Sequence, residues 1–75
     1  MEIQIIKTNG EEKSFNYDLN LNSIIEKRIE EIGNEFGFWV KNVNFENNVI
    51  VLLQKQLTTE EEYEALIKKI NAFLS

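Results

Sequence analysis

Asn47-Asn48-Val49-Ile50-Val51-Leu52-Leu53 decides the fold. Two asparagines that suit a tight turn open onto five consecutive apolar residues, which form a strand with hydrophobic side chains on both faces. Such a strand needs cover on both sides, and a small domain with one helical layer covers only one. The sequence therefore implies a surface that meets something. It carries no motif that names a biochemical activity.

Upstream of the turn, Phe38 to Glu46 reads as the partner strand, and Val49 to Gln56 as its return. A two-residue turn at Asn47-Asn48 pairs Phe45 with Ile50 and Val43 with Leu52, and Trp39 continues that apolar face toward the helices. The opposite face then carries Val40, Asn42, Asn44, Glu46, Val49, Val51 and Leu53. Of these, Val40, Asn42, Asn44, Val49, Val51 and Leu53 are the interface candidates. Fully burying the four aliphatic side chains stabilises by roughly 6 to 12 kcal/mol, against an association cost of about 4 to 15 kcal/mol. That balance supports weak or moderate association, for which a symmetric homodimer is the commonest form. Two blander readings stand beside it. Exposed aliphatics are common on the open face of an antiparallel sheet, and two helices on opposite faces would cover both sides within the monomer. Trp39, the only Trp, reads more readily as a core anchor than as a binding hot spot.

The first half of the chain follows the same plan. Glu2 to Thr8 reads as a strand, Asn9-Gly10 as a turn and Lys13 to Leu19 as a returning strand. A two-residue turn there would set Ile5 against Ser14 and Ile3 against Asn16, mixing polar with apolar on one face. A loop longer by one residue pairs Ile5 with Phe15 and Ile3 with Tyr17, so the burial pattern predicts a longer or bulged loop with those four side chains facing the core.

Each hairpin precedes a helix. Ser23 with Glu26 is a capping-box pattern, with Asn22 as the alternative cap, and Ile25, Ile29, Ile32 and Phe36 form one stripe of a 3.6-residue repeat. Gly37 fits the left-handed position after the last turn. Gly33, inside the helix, weakens it by about 1 kcal/mol relative to Ala unless something packs closely there. Thr58 with Glu61, or Thr59 with Glu62, caps a second helix with the stripe Tyr63, Ile67, Ile70 and Leu74, widened by Leu66 and Phe73. An offset of 38 residues superimposes both turns and both stripes, although only Asn9, Leu19, Glu26, Ile29 and Ile32 find identical partners across it. The expected fold is α+β, a two-layer ββαββα arrangement with a four-stranded, mainly antiparallel sheet and two helices on one face. Residues 1–75 form a single domain, with a possible pseudo-repeat of 1–37 and 38–75.

Seventy-five residues sit near the size at which a single core leaves a few kcal/mol of net stability, so small chains gain from a metal, a disulfide or self-association. With no Cys and no His, association is the support that remains. Eight basic and thirteen acidic side chains give a net charge of −5, which disfavours direct binding to nucleic acid or to an anionic membrane. No apolar run approaches the length that spans a bilayer and no secretory pattern opens the chain, so a cytoplasmic location is expected.

Catalysis is not expected either. His and Cys are missing, and the serines are Ser14, Ser23 and Ser75, of which Ser23 reads as a helix cap and Ser75 as terminal. The glycines are isolated, which excludes a phosphate loop, and no loop alternates Asp and Asn in a cation-binding pattern. No catalytic, cofactor-binding or metal-binding residues are assigned. A second class of function rests on charge: Glu26, Glu30 and Glu31 on the first helix, with Glu60, Glu61 and Glu64 on the second, would present spaced negative charge as a nucleic-acid mimic to a protein that handles nucleic acid. Lys27, Arg28, Lys68 and Lys69 interrupt that field, and charged helix faces are usually only solvated.

Overall fold

A glycine in the left-handed region closes the first hairpin. In a computed structural model describing residues 1–75, Gly10 has φ +88°, its N–H donates to the Lys7 carbonyl at 3.0 Å, and the Lys7 N–H donates to the Glu11 carbonyl at 2.8 Å. The loop is thus three residues, 8–10, with glycine in the bulge position that such loops require. It joins β1 (Glu2–Ile6) to β2 (Glu12–Asn16) with Ile3 opposite Phe15 and Ile5 opposite Lys13. The longer loop is as expected, but it grows on its N-terminal side, so the expected pairs of Ile5 with Phe15 and Ile3 with Tyr17 are each shifted by two residues. A two-residue shift preserves the face. Ile3 and Ile5 are fully buried, and Phe15 and Tyr17 pack against the core.

The helices α1 (Ser23–Glu35) and α2 (Glu60–Leu74) lie together on one face of the sheet. Asn22, not Ser23, caps α1, its side chain accepting from the Ile24 and Ile25 N–H groups at 3.0 Å. Thr59 caps α2 through a complete capping box with Glu62. Ile29 and Ile32 from α1 meet Tyr63, Leu66 and Ile70 from α2 over the inner faces of the strands, forming one continuous core. Gly33 brings α1 down onto the sheet, since a Cβ there would lie 3.3 Å from both Leu52 Cδ2 and the Phe38 carbonyl oxygen.

Two strands complete the sheet, β3 (Phe38–Asn44) and β4 (Val49–Gln54), in the order β2-β1-β4-β3. The outer pairs are antiparallel, but β1 and β4 run parallel, so the sheet is mixed rather than mainly antiparallel. The two most apolar strands take the centre, where neighbours flank them on both sides, and in this chain those two share a direction. No helix is long and apolar enough to cross a membrane.

The second hairpin departs from expectation in three linked ways. Residues 45–48 form a four-residue connection in which Asn48 alone among them has positive φ, so Val43 pairs with Ile50 and Asn44 with Val49, and Phe45 is 51% exposed rather than paired with Ile50 on the helix side. A bulge between Val40 and Asn42 places an extra residue, Lys41, in β3. Upstream of that bulge every side chain changes face. Phe38 is buried, Val40 packs against the core, and Trp39 points away from the helices.

Side chains at one end of the molecule tie the loops together. Buried Gln54 accepts from the Thr8 N–H at 2.8 Å and donates to Thr58 Oγ1 at 2.9 Å. Beside it, Lys7 Nζ pairs with Glu60 at 2.6 Å and Glu11 at 3.0 Å and lies 4.1 Å above the Tyr63 ring. Its hydrogen bonds to Glu60 and Glu11 hold its pKa above the ordinary lysine value, and the same contact holds that of Glu60 below the ordinary carboxylate value.

Candidate functional site: the open face of the sheet

Because both helices occupy one side, the other side of the sheet is uncovered, and strand register lays its side chains out as a grid. Across β2, β1, β4 and β3, the first level reads Glu12, Ile6, Leu53 and Trp39. The second reads Ser14, Gln4, Val51 and Asn42, and the third Asn16, Glu2, Val49 and Asn44. Trp39 is 45% exposed, while Ile6, Val49, Val51 and Leu53 are half-buried by their neighbours in the sheet alone. The apolar side chains fill the β4 column and extend to both sides along the first level.

Polar groups frame this patch. Lys55 Nζ lies 5.1 Å from the Trp39 ring centroid, a cation held against the indole face. The Glu2 carboxylate accepts from Ser14 Oγ at 2.5 Å and from Gln4 Nε2 at 3.2 Å, and those bonds hold its pKa below the usual carboxylate range. Four surface depressions are present elsewhere, and none is lined by a residue of the β4 column or by Trp39. The face therefore carries a patch of five apolar side chains, Ile6, Trp39, Val49, Val51 and Leu53, in a polar surround, and none of the depressions opens onto it.

Five of the six interface candidates read from sequence, Asn42, Asn44, Val49, Val51 and Leu53, meet on this face. Val40 does not, since the bulge turns it to the core side. The sequence reading missed Trp39 and Ile6. Adjacent Ile5 and Ile6 hold the signal for the second, because successive strand residues point to opposite faces and one of the two had to face outward.

The acidic candidates are spread out and partly neutralised. Glu31 pairs with Arg28 at 3.4 Å and Glu60 with Lys7, while Glu30, Glu61 and Glu64 stand exposed and Glu26 is half-buried. Glu35, adjoining this set, pairs with Lys69 at 2.6 Å. No group of three or more acidic side chains is placed to hold a metal ion, and no buried side-chain polar atom lacks a partner. Comparison with protein-family models, curated proteins and solved structures finds no match to the chain.

Proposed function

We propose that this chain is a non-catalytic protein-protein interaction module, located in the cytoplasm, that self-associates through the open face of its sheet. The observation that carries the reading is Trp39, 45% exposed and level with Leu53, with Ile6 on the far side of Leu53, on a face that no element of the chain covers. Tryptophan is enriched at binding surfaces, and here it stands at the margin of the aliphatic column with Leu53 across from it and Lys55 against its ring. A net charge of −5 supports a protein partner over direct contact with nucleic acid.

The size of the patch sets the expected strength. Three strands and three levels span roughly 300 Å² of projected surface, well under the ~800 Å² per partner of a standard interface. Sedimentation equilibrium from low micromolar to millimolar concentration should show a reversible rise in mass toward a dimer. Val51→Lys, which places a charge at the centre of the patch, should abolish that rise while leaving the far-UV circular dichroism unchanged. A mass that stays monomeric throughout would remove the reading.

A further inference from the structure

The open face has an internal symmetry that specifies how two copies fit. On either side of the aliphatic β4 column, the β1 column reads Ile6, Gln4, Glu2 and the β3 column reads, level for level, Trp39, Asn42, Asn44. Both flanks run apolar, amide, polar. Resting on the proposed self-association, we infer that a second copy stacks on this face about a twofold axis lying along β4. That operation sets Val49, Val51 and Leu53 against their own counterparts and Ile6 against Trp39 of the other copy. Gln4 meets Asn42, two amides able to exchange hydrogen bonds. The Glu2 carboxylate meets the Asn44 amide, a donor for its remaining lone pairs.

Other twofold placements do worse. An axis across the strands through Val51 lays Ile6 on Glu2 and Trp39 on Asn44. An axis between β1 and β4 lays Trp39 on Glu12 and Val49 on Glu2, which buries carboxylates under apolar side chains. The axis along β4 leaves β2, with Glu12, outside the overlap and solvated. It also carries Lys55, which leans over Trp39, to the Ile6 end of the opposing β1, next to Glu12 of the other copy. Stacked sheets cross at about 30°, so the match is closest at Val51 and loosens toward the corners.

Single cysteines can map this, since the chain has none of its own. With the sheets about 10 Å apart, a short bis-maleimide bridges facing positions. Val49→Cys, Val51→Cys and Leu53→Cys should each couple to themselves, and Gln4→Cys should couple to Asn42→Cys several-fold faster than to itself. Ser14→Cys should not self-couple. Preferential coupling of Val49→Cys with Leu53→Cys, or self-coupling of Ser14→Cys, overturns the arrangement. A dimeric mass without coupling at the three β4 positions overturns the arrangement and leaves self-association standing, whereas a monomeric mass for the unmodified chain removes both.

Discussion

A hydrogen in place of a methyl group at Gly33 sets how closely α1 approaches the sheet. Alanine there gains about 1 kcal/mol of helix propensity but must push both Leu52 Cδ2 and a strand carbonyl from 3.3 Å. Leu52 is fully buried and the Phe38 carbonyl belongs to a paired strand, so neither gives way easily. Gly33→Ala is expected to lower stability by about 1 kcal/mol net, read as a lower urea midpoint at constant slope. A higher midpoint would show that the strand yields. From sequence, Gly33 stood as an unexplained weakness in a helical stripe, because what justifies it lies across the fold. Trp39 and Val40 occupy the faces opposite to those an unbroken alternation implies, for a more local reason. Phe38, Val40 and Val43 are the inward side chains of β3, and the step of three between the last two breaks the two-residue period. That break is the visible trace of the bulge.

At the scale of elements, the helices were the most legible part, since their stripes and caps depend on residues within a turn of one another. The choice of Asn22 over Ser23 shifted one start by a residue. The first hairpin shows what polarity can determine: the faces were right although the register was displaced by two. Between elements, Lys7 joins the loop after β1 to the first turn of α2. The depressed Glu60 pKa means that this contact adds stability above the carboxylate's ordinary value and loses it as pH falls through the folded-state value. The raised Lys7 pKa keeps the cation charged throughout that window. Chemical denaturation from about pH 5 downward should therefore show a shallower loss of stability for Lys7→Met than for the unmodified chain, the methionine stem keeping the packing on Tyr63. Parallel curves would show that the ion pair is solvated away. The Glu2 carboxylate, held by Ser14 and Gln4, contributes the same sign in both proteins.

For the whole molecule, the two central strands come from opposite halves of the chain: β1 is the first strand of its hairpin and β4 the second of its own. The halves at an offset of 38 thus hold different positions in the sheet. Ile3 and Ile5 lie beside Ile50 and Leu52, so the first half has no core without the second. A peptide of residues 1–37 is expected to show no cooperative thermal transition by circular dichroism. A sharp transition would mean that the half folds alone. Pairing between β1 and β4 leaves no local trace in sequence, which is why the parallel centre of the sheet was not anticipated while the element order and the helical layer were. The uncovered face was legible for a simpler reason, since a strand apolar on both sides exceeds what one helical layer can shelter.

The bulge in β3 has one more effect. A lateral strand with free N–H and C=O groups invites another chain to extend the sheet, and a bulge spoils the template. At the opposite margin, β2 carries Lys13, an exposed cation 5.2 Å from the Tyr63 ring centroid, and a lysine on an edge strand discourages docking of the same kind. With both margins guarded in this way, fibrillar growth strand by strand is disfavoured.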